Sequence, residues 1–108
     1  MKKLLSLVIP VYNEANGLNR FHYTMLLPQL ELLNLHWEVI YVNDGSSDQS
    51  QFQLSEMAVQ DRRVKVVSLS RNFGKEIAVT AGIFYAQGDA LVVMDADGQH
   101  YPEDAKKL

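Results

Sequence analysis

Asp89-Ala90-Leu91-Val92-Val93-Met94-Asp95-Ala96-Asp97 is the stretch whose reading decides the fold. Asp89 to Met94 is a short, mainly apolar run that reads as a buried strand of a parallel sheet. In an extended chain residues i and i+2 point the same way, so Asp95 and Asp97 can converge just past the strand's end. Two carboxylates that close repel unless a cation lies between them. Mg²⁺ or Mn²⁺ suits the place, because hard divalent ions take one or two carboxylates and complete their shell with water and phosphate oxygens. The pattern suggests a site for a metal-bound diphosphate. Taken alone, it describes a solvated turn after a strand equally well.

Outward from this stretch, strands alternate with helices. Leu4 to Pro10 is a first strand. Asn13 is placed to cap a helix running through Leu18, Phe21, Met25 and Leu26. Pro28 should kink or restart that helix, and Leu30 to Leu35 reads as a further helical turn or two. Trp37 to Val42 is a second strand. Ser46 with Gln49 resembles a capping box, followed by a helix over roughly Asp48 to Gln60. Val64 to Leu69 is a third strand. Asn72 is placed to cap a helix with Ile77, Ala81, Phe84 and Tyr85 on one face, and Gly88 suits its C′ position. Pro102-Glu103-Asp104 reads as the first turn of another helix. The alternation makes the fold class α/β, built from βαβ units with a parallel sheet and right-handed crossovers. Ligands of such sheets sit at the carboxyl ends of the strands. The polar clusters at residues 10–14, 43–45, 70–75 and 95–97 all fall at such ends, which argues for one shared site.

The bulk numbers set bounds. With 108 residues the chain is one domain with one core. Its 47% apolar and 21% charged composition excludes a disordered chain. A net charge of −3 gives no electrostatic case for nucleic acid. There is no cysteine, so any metal is held by oxygen or histidine, which fits a cytoplasmic setting. Met1-Lys2-Lys3-Leu4-Leu5 imitates the start of a signal peptide, but the apolar run is broken by Pro10 and reaches Asn13-Glu14 without a small-residue cleavage site, so a strand is the better reading. No segment approaches the ~18 apolar residues of a membrane helix.

Four ordered segments carry a family resemblance: Val8-Ile9-Pro10-Val11-Tyr12-Asn13-Glu14, Asn43-Asp44-Gly45-Ser46-Ser47-Asp48, Arg71-Asn72-Phe73-Gly74-Lys75-Glu76 and Asp95-Ala96-Asp97-Gly98-Gln99-His100. Together they resemble family 2 glycosyltransferases of the GT-A fold, and within them the branch acting on polyprenyl phosphates, such as dolichyl-phosphate mannose synthases and undecaprenyl-phosphate glycosyltransferases. The resemblance implies a Rossmann-like nucleotide-sugar-binding half, residues 1–108, with strand order 3-2-1-4 and helices on both faces, ending before the acceptor-binding half. It implies that Pro10, Tyr12 and Glu14 contact base and ribose, that Asp44 reads the base edge with Val42 packing nearby, and that Lys75 meets a phosphate. Asp95 and Asp97 would act in catalysis through Mn²⁺ or Mg²⁺, with Gln99 as a further ligand or a ligand's partner. Gly98 stands where a leucine is expected, and Asn43 where the family often has aspartate. His100 reads as a surface or packing residue. The implied partners are a UDP- or GDP-linked sugar and, for the full-length protein, a polyprenyl phosphate at the cytoplasmic face of a membrane. The implied reaction is an inverting transfer. The 108 residues alone are expected to bind without transferring, and to self-associate through exposed apolar surface.

Other readings are weaker. A haloacid-dehalogenase-type phosphatase also uses Asp-x-Asp-Gly, but on its first strand. A dinucleotide-binding domain needs Gly-x-Gly-x-x-Gly after strand one, which Pro10 to Gly17 lacks. A non-catalytic nucleotide-sugar-binding module, or a transferase with a saccharide acceptor, stays open.

Overall fold

A computed structural model describes residues 3–96. The elements run β1 (Leu4–Val11), α1 (Ala15–Arg20), a π-helical segment (Phe21–Leu26), α2 (Leu27–Glu31), β2 (His36–Asn43), α3 (Ser50–Gln60), β3 (Val64–Ser68), α4 (Lys75–Tyr85) and β4 (Ala90–Val93). The four strands form one sheet in the order β3-β2-β1-β4, as expected. All pairings are parallel: Leu4↔His36 to Val11↔Asn43, Leu5↔Ala90 to Val8↔Val93, and Val39↔Val64 to Asn43↔Ser68.

The period-two alternation sorts β1 and β2 onto two cores. Leu5, Leu7, Ile9 and Val11 join Trp37, Val39 and Tyr41 beneath Leu18, Phe21, Leu26 and Leu30 of the first helical stretch and Leu54 and Met57 of α3. On the opposite face Val8, Ile40 and Val42 pack with Ala78 of α4. Each fully buried aliphatic chain contributes about 1.5–3 kcal/mol relative to an exposed one. In the larger core His22 is buried and its Nδ1 lies 2.7 Å from the Tyr41 hydroxyl. Burial pushes the His22 imidazole down to about 4, against the opposing pull of Asp61.

As expected, regular α-helix restarts at the proline, with Pro28 in the first turn of α2, but the chain does not leave helical geometry to do so. Helical geometry runs from Ala15 to Glu31 through a π turn that precedes the proline, whose ring cannot fit a regular α-helical interior. Several local expectations are corrected. Helix stops at Glu31, and Leu32 is 71% exposed. Asn13 is not a helix cap. It sits at φ 53°, and its Oδ1 accepts the Ser47 N–H at 2.8 Å. Nor does Ser46 form a capping box with Gln49; its Oγ accepts the Asn13 N–H. Gly74, at φ 101°, stands at the α4 N-cap in place of Asn72. Gly88 is not an αL cap: α4 ends in an extended Ala86, and a Cβ on Gly88 would lie 2.4 Å from Ser6 Oγ. The α4 face holding Ile77, Phe84 and Tyr85 points away from the sheet. Ala78 and Gly82 are buried instead, and a Cβ on Gly82 would meet Val8 Cγ1 at 2.5 Å. Small residues let the helix lie close to the sheet, and the large ones are turned outward. Among the described residues no helix is long and apolar enough to cross a membrane. The helix expected at Pro102-Glu103-Asp104 lies outside the described residues.

Candidate functional site

Chain order reverses at β1: β2 and β3 build outward on one side and β4 on the other. Such a switch point is where an open α/β sheet leaves a crevice. Pro10 fixes how far the crevice reaches down. Met94 donates its N–H to the Val8 carbonyl at 3.2 Å. Backbone groups alternate along a strand, so Pro10 faces the same neighbour, and the next rung would need an N–H that proline lacks. The β1–β4 ladder accordingly ends at Val8↔Val93, while β1 continues beside β2 to Val11↔Asn43.

Above that fork lies a cleft of about 360 Å³, lined by Pro10, Val11, Tyr12, Glu14, Asp44, Asn72, Gly74, Lys75, Asp95 and Ala96. Tyr12 is 48% exposed and presents its ring at the mouth. Behind it the loops after β1 and β2 interlock. Asn13 N–H donates to Ser46 Oγ, Glu14 N–H to Ser50 Oγ, and Ala15 N–H to Asp48 Oδ2. Asp48 Oδ1 accepts the Ser50 N–H at 2.9 Å, so one carboxylate serves the starts of both α1 and α3. Burial opposes its charge, but the hydrogen bonds from Ser50 and Ala15 outweigh that and hold its carboxyl below the usual range.

Asp44 is buried, and its Oδ1 and Oδ2 accept the N–H groups of Phe73 (2.8 Å) and Gly74 (3.1 Å). Gly45, at φ 72°, presses on the same loop: a Cβ there would lie 2.2 Å from the Arg71 carbonyl carbon. Asp44 and Gly45 together fix the backbone that carries Lys75. The Lys75 Nζ then reaches across the cleft to Asp95 Oδ1 at 2.6 Å. Asp95 owes its place to β4, whose lower end is held by a second polar cluster. Buried Glu38 accepts Ser6 Oγ–H at 2.6 Å, Gln87 N–H at 2.7 Å and the Lys65 ammonium at 2.7 Å, and Ser6 Oγ in turn accepts the Gly88 N–H. Burial opposes the Glu38 charge; the bonds from Lys65, Ser6 and Gln87 overcome it and depress its carboxyl.

The structure thus brings Pro10, Tyr12, Glu14, Asp44, Lys75 and Asp95 to one cleft. Val42 is not brought there; it is fully buried under α4 in the smaller core. Asp97 and Gln99, with Gly98 and His100, lie outside the described residues. Among the described residues no three His, Asp or Glu side chains come together as a metal-ligand set. Asn72, expected in the converging polar cluster but given no ligand role, also lines the cleft; sequence reasoning missed the interlocked loops and the Glu38 cluster. The signal for the interlock was present in Ser46-Ser47-Asp48, whose short polar side chains readily bond backbone N–H groups.

Fold and cleft define an α/β protein with its ligand crevice at the switch point, the class to which the GT-A nucleotide-sugar folds belong. Glycosyl transferase family 2 matches residues 6–108, and the chain belongs to that family. It is 50% identical over 99 residues to an uncharacterized glycosyltransferase of Synechocystis, covering 92% of this chain and 31% of that protein. It is 41% identical over 95 residues to the bactoprenol glucosyl transferase of Shigella phage SfV, covering 88% and 31%. With the undecaprenyl-phosphate 4-deoxy-4-formamido-L-arabinose transferase of Proteus mirabilis it shares 39% over 105 residues, 96% of this chain and 32% of that one. Among solved structures, S. aureus TarS 1–349 in complex with UDP-GlcNAc superposes with a TM-score of 0.72 at 26% identity, over 99% of this chain and 30% of that one. The chain spans about a third of the length of these relatives.

Proposed function

We propose that this protein transfers a sugar from a nucleotide-diphosphate donor to a polyprenyl phosphate, with inversion at the anomeric carbon and with Mn²⁺ or Mg²⁺ as cofactor. The observation that carries this is the meeting of Tyr12, Glu14, Asp44, Lys75 and Asp95 in one cleft at the switch point. The named relatives that act on bactoprenol or undecaprenyl phosphate support the acceptor, and the UDP-GlcNAc complex of TarS supports the donor class.

In this reading Tyr12 offers an aromatic face to the base, Glu14 accepts from ribose hydroxyls, and Pro10 keeps the cleft open for both. Asp44 holds the Phe73–Gly74 loop and turns its remaining lone pairs to a base N–H. Asp95, a hard oxygen donor facing the cleft, fits a divalent cation that shares its shell with phosphates. Asp97 and Gln99 would complete the protein's share. When bound, the metal supplies charge stabilisation to the departing diphosphate. A lipid phosphate needs little deprotonation near neutral pH, so the donor side asks no general base of these residues. The 108 residues form a single donor-binding domain in this proposal, and acceptor binding belongs to sequence beyond them. The protein works in the cytoplasm, at the cytoplasmic face of the membrane. The outward apolar face of α4 and the short β4 leave the isolated chain prone to self-association.

Titration calorimetry tests the donor reading. UDP or GDP should bind more tightly with Mn²⁺ than without, and Asp95→Asn should remove most of that gain. Binding indifferent to both would sink it. A longer protein incubated with Mn²⁺, nucleotide sugars and undecaprenyl phosphate tests the acceptor; the lipid-linked sugar is the expected product.

A further inference from the structure

The Lys75–Asp95 pair has a property that the roles above do not use. Its two partners belong to the same ligand in different ways: a carboxylate suited to the metal and an ammonium suited to the phosphates that the metal would hold. In the structure they satisfy each other, Nζ to Oδ1, at 2.6 Å. Both line the cleft, with Lys75 61% and Asp95 23% exposed at the side chain. Lys75 is also the first residue of the eleven-residue α4. The positive end of a helix disfavours a lysine and favours an anion, so Asp95 offsets an unfavourable position. The backbone under Lys75 is held through Phe73 and Gly74 by Asp44. The flexible four-carbon stem can therefore swing from a fixed root.

We propose that Lys75 is the resident cation of Asp95, exchanged for the divalent metal only when a diphosphate arrives to receive the freed ammonium. A divalent ion bound at Asp95 without a diphosphate would face an ammonium already at the same carboxylate, and like charges that close repel. A diphosphate removes the conflict, because it pairs with the ammonium and the metal together. The cleft thus takes metal and nucleotide jointly and resists metal by itself. This inference rests on the reading of the cleft as a nucleotide-diphosphate-sugar site.

Mn²⁺ binding followed by electron paramagnetic resonance, with and without UDP or GDP, tests it in the wild type, Lys75→Met and Lys75→Arg. Without nucleotide, Lys75→Met should bind Mn²⁺ about fivefold tighter or more, the lower end of ordinary coupling between sites. The nucleotide should then raise Mn²⁺ affinity less in Lys75→Met than in the wild type, since the two effects are linked. Lys75→Arg keeps the charge and should resemble the wild type. If Lys75→Met binds free Mn²⁺ no better than the wild type while nucleotide and metal still strengthen each other, the exchange is overturned and the donor reading stands. If the wild type binds neither UDP nor GDP at any Mn²⁺ concentration, both are overturned.

Discussion

On the β1–β2 side of the cleft, Asn13, Glu14 and Ala15 each give a backbone N–H to a side chain of the neighbouring loop, and Asp44 and Gly45 lock the segment beyond it. Across the gap, on the α4–β4 side, the described residues show one ion pair, between Lys75 and Asp95, with the lysine largely in water. The first wall is made of bonds between backbone and short side chains, which lose little entropy when ordered. The second depends on a long side chain whose pairing in solvent is worth little. In the proposed reading the first wall would recognise the rigid part of the ligand and the second its charge.

The largest way to break this contrast is Gly45→Ala. It combines a left-handed backbone, costing about 1–2 kcal/mol for an L-residue, with a Cβ inside the Arg71 backbone. The total should be on the order of 3–5 kcal/mol, read as a lower urea midpoint. Next is the core beneath α1. His22 is held neutral with its imidazole near 4. The unfolded chain binds the extra proton first as pH falls through about 6.5, so stability declines from there to about pH 4, by about 3 kcal/mol in all. His22→Gln should flatten that part of the pH–stability curve. Asp44→Ala leaves the Phe73 and Gly74 N–H groups without their acceptor and should cost about 2 kcal/mol. It should also weaken nucleoside diphosphate binding even without metal; if only metal-dependent affinity changes, Asp44 does not read the base. Asp48→Ala removes the acceptor shared by the first N–H groups of two helices and should cost about 1 kcal/mol. Its depressed carboxyl means this contribution is present at neutral pH and fades as pH falls below about 4. Lys75→Met should come last, shifting stability by less than about 0.5 kcal/mol. A loss as large as that of Asp44→Ala would show that the second wall is structural, and the contrast would fail.

The strands and the convergence of the polar clusters were legible because both follow from short-range rules. A buried parallel strand is an apolar run, and polar residues after it mark its carboxyl end. The order placing β4 beside β1 came from the family resemblance, not from pattern. What failed was everything settled between loops. Asn13, Ser46 and Asn72 have the right residue types for capping the next helix, yet the first two bond each other's loops. Asn72 gives way to Gly74, because partners brought by the neighbouring strand are nearer than local ones. On α4 the hydrophobic pattern pointed to Ile77, Ala81, Phe84 and Tyr85, but of these only the small Ala81 packs toward the sheet, beside Ala78 and Gly82. Val42 was expected near the ligand from the family resemblance; strand alternation sends it to the α4 face. The Lys75–Asp95 pair was invisible although both residues were marked, since nearly all of α4 and the whole of β4 lie between them in the chain.

Pro10 does to the sheet what a stop does to a zipper. The seam between β1 and β4 lacks the hydrogen that its next rung would use, a feature written into the covalent chain and indifferent to what occupies the cleft. A ligand arriving there has no closed seam to pry open, so its affinity is not reduced by a rarely populated open form. Any other residue at this position could lengthen the seam by a rung. The protein would then have to reopen it at every encounter.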